Sequence, residues 1–348
     1  MRYLLTTDPG LEDVAAEELS AMRPDAVATA APHSCPGLVR VEIDAADDLL
    51  RLATVHHVAT LRGEAEARTL PELERCVAGF EFPELENAAS FRVTGERRGK
   101  HEFSSVDIQR AAGAVLHRRF GTPVDLEGFE VDIRIRLFGD RLFAGSQVTR
   151  ISLGKRIRRA GTLRSALKPT VAAAMLRLIG AREGHGRLLD PMCGMGTIPI
   201  EAARLNPRLE IAASDWDPAT VELARRTLAN HDLDIGVREA DARSLDAVYP
   251  QRFDYIVTDP PYGVRQAKRT SRSRLYDSLL RSFERVLAES GRIALVILKY
   301  HSFTSALGRS GLEIVHERRV ELGSIAPRIV VLERRGSTRC RASQQRTF

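Results

Sequence analysis

Apolar positions change rhythm near residue 150. Before it they mostly alternate with polar ones: Val131, Ile133, Ile135 and Leu137 are separated by Asp132, Arg134 and Arg136, the period of a strand with one face in water. Gly139-Asp140 reads as the hairpin turn that follows, with residues 142–148 as the return strand. Upstream, strands are expected at 3–7, 38–43 and 91–94, and helices at 10–19 and 106–120. The first 53 residues read strand, helix, strand, helix. These elements predict small α+β units with a half-buried sheet. Beyond residue 188 the apolar runs are short and unbroken: Leu188-Leu189, Ile211-Ala212-Ala213, Tyr255-Ile256-Val257, residues 292–298 and Ile329-Val330-Val331-Leu332. Between them lie stripes at helical spacing, through Ile198, Ile200 and Ala203, then Val221, Ala224 and Leu228, then Leu275, Leu279, Phe283 and Val286, widened by Tyr276 and Leu280. Strands buried on both faces and separated by helices predict an α/β domain with a largely parallel sheet. Segments 313–322 and 329–332 are close enough in sequence to pair antiparallel at its end.

Candidate chemistry sits at the ends of these strands. Asp190-Pro191-Met192-Cys193-Gly194-Met195-Gly196-Thr197 reads as a strand end, a tight glycine turn and a helix start, where a ligand can approach the backbone. Pro199 breaks the dinucleotide G-x-G-x-x-G, and no Gly-Lys-Ser/Thr follows to make a P-loop. Asp215 ends the second strand, where a carboxylate can chelate two ribose hydroxyls. Asp217 suits a helix N-cap, with Pro218 in the first turn, or a ligand contact. Asp241 follows a strand over 235–239, placed either to receive an adenine amino group or to make an Asx turn. Four strand ends bearing Asp190, Asp215, Asp241 and Asp259 in order specify a pocket for S-adenosylmethionine. At the fourth, Asp259-Pro260-Pro261-Tyr262 supplies what amino-group methylation needs. An exocyclic amine on a base has its lone pair delocalised into the ring. Asp259 and the Pro260 carbonyl can each accept one of its hydrogens, the prolines stiffen the corner, and Tyr262 can stack an extruded base.

The order and wording of these motifs resemble class I methyltransferases, and DPMCGMGT with DPPY is similar to the RNA guanine-N2 branch. Members of that branch carry an N-terminal ferredoxin-like domain and a THUMP domain, and the Gly-Leu-Glu and Glu-Glu-Leu elements at 10–12 and 17–19 and the segment from Phe91 to Phe120 resemble them. The resemblance implies a ferredoxin-like domain at 1–58, a THUMP RNA-binding domain at 59–153, a linker at 154–168, a Rossmann-like methyltransferase domain with an antiparallel last strand at 169–335 and a disordered basic tail at 336–348. It further implies a cofactor site of Asp190, Pro191, Cys193, Gly194, Gly196, Thr197, Asp215, Trp216, Asp241, Ala242 and Asp259, with Asp259, Pro260 and Tyr262 catalytic. Leu167-Lys168-Pro169-Thr170 resembles a segment that closes one side of the cofactor site; read alone, Pro169 is a first-turn proline and Thr170 a solvated hydroxyl. The layout is most similar to enzymes acting on guanine 6 of the tRNA acceptor stem. An rRNA guanine and a DNA adenine or a protein glutamine remain as other substrates, although the last two usually pair PPY with Asn.

Charge adds a location for the nucleic acid. Residues 150–168, 265–274 and 334–348 hold seven, five and five basic residues and no acid, so although the net charge is +6 the remainder of the chain is net acidic. Each run alone is an ordinary solvated face. Together they favour a phosphate track through Lys155, Arg156, Arg158, Arg159, Arg265, Lys268 and Arg269. At 348 residues and 43% apolar content, two or three domains are expected. Four cysteines without a CxxC pair and nine histidines without HxxxH or HExxH argue against disulfides and metal, and Cys193 reads as a small residue beside the cofactor rather than a nucleophile. The SGGxDS loop of thiouridine synthases and the HxE with PCxxC of deaminases, both THUMP-linked, are missing. A binding protein with a relic fold would lack the cofactor acids. No run is long enough for a membrane span and the start is acidic, so a cytoplasmic monomer is expected.

Overall fold

The computed structural model describes residues 1–44, 46–163, 166–261 and 272–336. Tyr262, Arg265, Lys268, Arg269 and almost all of the basic tail lie outside them. The chain divides into two compact units, Met1–Thr7 with Ala15–Leu153, and Asp8–Val14 with the chain from Gly154 onward.

In the first unit, β1 (Arg2–Thr7), α1 (Glu12–Met22), β2 (Val27–Ala30), β3 (Leu38–Glu42) and β4 (Val55–Thr60) give an antiparallel sheet of order β2-β3-β1-β4. This is the ferredoxin-like order, with a short 3-10 turn, Asp47–Arg51, where the second helix was expected. β4 crosses the boundary expected after residue 58, because its pairing with β1 runs on to Thr60 opposite Tyr3. A second sheet of order β5-β8-β7-β6 follows, built from β5 (Gly63–Glu66), α2 (Leu70–Gly79), β6 (Phe91–Arg98), α3 (Ser105–Phe120), β7 (Val131–Phe138) and β8 (Arg141–Ser146). The hairpin β7-β8 turns at Gly139, whose φ of 61° is the left-handed region that favours glycine. Helix α3 starts with a capping box between Ser104 and Asp107 and stops at Gly121 in the left-handed conformation. Its Ile108, Ala112 and Leu116 bury against Val93, Ile133 and Ile135 of the sheet.

The second unit is a three-layer α/β domain. Its elements are α4 (Pro169–Leu178), β9 (Gly186–Asp190), α5 (Thr197–Leu205), β10 (Leu209–Asp215), α6 (Pro218–Ala229), β11 (Val237–Glu239), β12 (Phe253–Thr258), α7 (Arg272–Val286), β13 (Leu287–Ile297), α8 (Tyr300–Leu307), β14 (Leu312–Arg319) and β15 (Arg328–Arg334). The sheet order is β11-β10-β9-β12-β13-β15-β14, parallel from β11 to β13, with β15 antiparallel to both neighbours. That is the class I sheet with its reversed last strand. Successive strand residues face opposite layers. Leu188, Val257 and Ala294 pack with α4 and α5, while Leu189, Ile256 and Leu295 pack with α7 and α8. Leu11 and Val14, from the N-terminal segment, complete the first of these cores. Strand order reverses between β9 and its neighbours β10 and β12, so the ligand crevice of such a sheet falls at their carboxyl ends. No helix among the described residues is long and apolar enough to cross a membrane.

Candidate active site

Three strand ends converge there. β9 delivers Asp190, β10 delivers Asp215 and β12 leads into Asp259-Pro260. Asp190 is fully buried. Its Oδ1 accepts the Met192 N–H at 3.3 Å, and its Oδ2 has no hydrogen-bond partner among the described residues. Burial pushes the carboxyl up to about 8; the Thr258 hydroxyl and the Met192 N–H oppose the rise, and the charges of Asp215 and Asp259 add to it. Asp215, 7% exposed, is also raised, first by burial, although it accepts from the Gly194 N–H at 3.0 Å and the Asp217 N–H at 3.2 Å. Trp216 beside it is 57% exposed. Pro260 is buried and Asp259 half-buried.

The glycine turn makes room for a ligand. Gly194 and Gly196 have φ of 53° and 81°, and among the described residues a Cβ built on Gly194 would meet only Leu163 Cδ1, at 4.0 Å. Thr197 and Pro191 are buried around this turn, and helix α5 begins directly after it. Cys193 faces inward, among Ile157, Ile200 and Ala213, and burial holds its thiol well above the usual range. A thiol so placed is packing, not a nucleophile. At the third strand, Ala242 is buried, whereas Asp241 accepts the Arg243 N–H at 2.9 Å and the Arg243 guanidinium Nε at 2.9 Å. Asp241 therefore makes the Asx turn, and its neighbouring guanidinium lowers its pKa. Asp217 caps α6, accepting from the Thr220 N–H at 3.1 Å.

Three sequence expectations change. Arg156 does not reach for phosphate: its fork lies on Glu201, 2% exposed, at 3.0 and 2.7 Å. The described part of the linker expected at 154–168 is likewise packed rather than loose, because the Ala160 N–H binds Thr227 at 3.1 Å, Arg158 binds the Asn230 carbonyl and Ile157 packs beside Cys193. Lys155, Arg158 and Arg159 are exposed along this strap. Thr170 is buried rather than solvated, donating to Asp8 Oδ2 at 2.7 Å, while Lys168 Nζ donates to Asp8 Oδ1 at 2.7 Å. Asp8 and Leu163 belong to this region and carry no sequence signal for it. Among the described residues no group of His, Cys, Asp and Glu is arranged to hold a metal ion.

A crowded, partly unneutralised set of carboxylates beside an open glycine turn suits a ligand that carries positive charge and ribose hydroxyls. Comparison with known proteins agrees with that chemistry. Residues 156–327 match the family model for the RMKL-like methyltransferase domain, and residues 67–144 match that for the THUMP domain. The tRNA (guanine(6)-N2)-methyltransferase of Thermus thermophilus is 38% identical over 335 residues, covering 94% of this chain and 98% of its own. The chain belongs to the THUMP-bearing RMKL-like methyltransferase family. The Archaeoglobus fulgidus tRNA (guanine(6)-N2)-methyltransferase is 30% identical and covers 95% of this methyltransferase and 92% of itself. The crystal structure of TrmN from Thermus thermophilus matches with a TM-score of 0.82 at 37% identity, over 96% of this chain and all of that one.

Proposed function

We propose that this methyltransferase methylates the exocyclic N2 of a guanine in tRNA, at position 6 of the acceptor stem. The single observation behind the reading is the Asp259-Pro260 corner beside Asp190 at the sheet's carboxyl edge, in a chain alike over nearly its whole length to a tRNA (guanine(6)-N2)-methyltransferase.

The residues present fit S-adenosylmethionine, since among the described residues Asp190 Oδ2 is a buried acceptor without a hydrogen bond and the Gly194 face is open. Asp190 and the turn of Pro191, Cys193, Gly194, Gly196 and Thr197 would hold its amino-acid end, Asp215 its ribose, Trp216 and Ala242 its adenine, and Asp241 the adenine amino group once released from Arg243. The cofactor supplies an electrophilic methyl on a sulfonium. Asp259 and the Pro260 carbonyl accept the two N2 hydrogens, so the lone pair is freed from the ring. Tyr262 stacks the extruded guanine. The nitrogen becomes acidic only as it is alkylated, and Asp259 then takes the proton, so it need not be a strong base. Alignment at this corner accounts for much of the rate, since well-oriented partners are worth on the order of 7–11 kcal/mol. Lys155, Arg158 and Arg159, with Arg265, Lys268 and Arg269, would follow the phosphates, with affinity that falls as salt rises. The domain layout, with the ferredoxin-like and THUMP sheets ahead of the catalytic unit, belongs to the same proposal.

Labelled methyl transfer to unmodified tRNA, followed by digestion to nucleosides, tests it. N2-methylguanosine at position 6 is expected; N6-methyladenine would move the enzyme to the amino-adenine branch, and no labelled nucleoside would remove tRNA as substrate.

A further inference from the structure

Another group of side chains occupies the same sheet edge and has no part in the chemistry just described. β13 lies beside β12 in parallel, with Leu295 level with Thr258, and Ile297 at its end pairs with Arg328 at the start of β15. The chain leaves β13 through Lys299 into Tyr300, the first residue of α8. The Arg328 guanidinium lies over the Tyr300 ring, 4.2 Å from its centroid. Glu317 of β14 accepts hydrogen bonds from both, from the Tyr300 hydroxyl and from Arg328 Nη1. The ring itself packs on the core, with Phe303 6.4 Å away. The guanidinium is therefore fixed in plane on three sides, by an aromatic face below, a carboxylate at one edge and the sheet at its stem. Its side chain is nevertheless 40% exposed.

A guanidinium held this way is poorly suited to phosphate. Its edge is already turned to a carboxylate, which offsets much of its charge, whereas phosphate recognition uses the edge. Among the described residues its recorded contacts are with Tyr300 and Glu317 alone, which leaves the face away from the ring, and arginine planes stack on nucleobases. Two inter-strand spacings, roughly 10 Å, separate β15 from β12 along the sheet edge. That is the scale of the step from an extruded nucleotide to its neighbour. Lys299, exposed at the foot of the platform, is placed to meet the intervening phosphate.

We infer that Arg328, laid on Tyr300 and fixed by Glu317, is a stacking platform for a base next to the one that enters the Asp259 corner. It is a substrate-binding residue that sets which unpaired or opened RNA segment is accepted. The inference rests on the proposed RNA substrate. Steady-state transfer to tRNA by Arg328→Ala and Arg328→Lys tests it, with titration of S-adenosylhomocysteine followed by fluorescence of Trp216, the one tryptophan in the chain. A stacked base predicts a KM for tRNA raised about 5- to 150-fold in both variants, kcat within about twofold, and unchanged S-adenosylhomocysteine affinity. Lysine keeps the charge and loses the plane, so a KM restored in Arg328→Lys overturns stacking in favour of simple charge. Unchanged KM in both variants overturns it as well, and a parallel loss of S-adenosylhomocysteine affinity reassigns Arg328 to the structure of the domain. If the wild-type protein forms N2-methylguanosine and the variants behave alike with it, only this inference fails; if the wild type modifies no RNA, the proposed function fails with it.

Discussion

Glu201 and Glu333 are buried to 2% and 1% exposure, and each lies on an arginine, Arg156 at 2.7 Å and Arg292 at 2.6 Å. Asp190 and Asp215, buried to a similar degree at the carboxyl edge of the same sheet, have only backbone N–H and hydroxyl neighbours among the described residues. A buried carboxylate normally acquires a cation or loses its charge. The glutamates have been given a cation by folding. The aspartates have not, and their raised pKa values are what a site looks like when its positive partner arrives with the ligand.

Three substitutions probe that difference. The largest effect is expected at the finished pair: Arg156→Ala leaves Glu201 buried without its fork and should cost about 3–5 kcal/mol of unfolding free energy. Thermal or urea unfolding measures it, and a loss near zero would mean that the pair is not closed in solution. Asp190→Asn should act in the opposite sense. The folded pKa of about 8 lies above the ordinary 3.8. Asp190 therefore favours the fold fully below the lower value and loses that contribution as pH rises through the upper one. The Asn variant should accordingly be more stable than the parent at alkaline pH when free of cofactor. A cationic ligand needs Asp190 ionised, so wild-type cofactor affinity should rise up to tenfold per pH unit below about pH 8 and level off above it. In Asp190→Asn the affinity should be weaker and flat with pH. The smallest effect belongs to Arg243→Ala. It frees a half-buried aspartate, Asp241, from a largely solvated ion pair worth about 0–1 kcal/mol, so cofactor should bind within about fivefold of wild type, on the tighter side if Asp241 takes the adenine amino group.

The sheet edge was legible because strand ends in this fold are punctuated: an unbroken apolar run followed by Asp-Pro or Asp-Trp-Asp-Pro fixes both the element and its exit. β9, β10 and β12 end within a residue of where the pattern puts them. Misreadings came where the deciding partner is remote. Arg156 reads as part of a basic track because Glu201 stands 45 residues away, and of the two readings open for Thr170 the solvated one fails because Asp8 lies 162 positions earlier. Elements that were missed are short. β2 is four residues long, none of them buried, at a sheet edge, and α8 is eight residues long, so neither holds enough period to be read. α2 was hidden by charge, since its apolar face is little more than Leu73 and Val77.

The most direct test joins both halves of the site in one variant. Asp259→Ala removes the acceptor at the corner and leaves Asp190, Asp215 and the glycine turn untouched. Quenching or enhancement of the single Trp216 emission by S-adenosylhomocysteine should give wild-type affinity within about threefold, while methyl transfer to tRNA falls by about 10²–10⁴. Turnover that survives in this variant would contradict the assignment of Asp259 as the group that holds the amine.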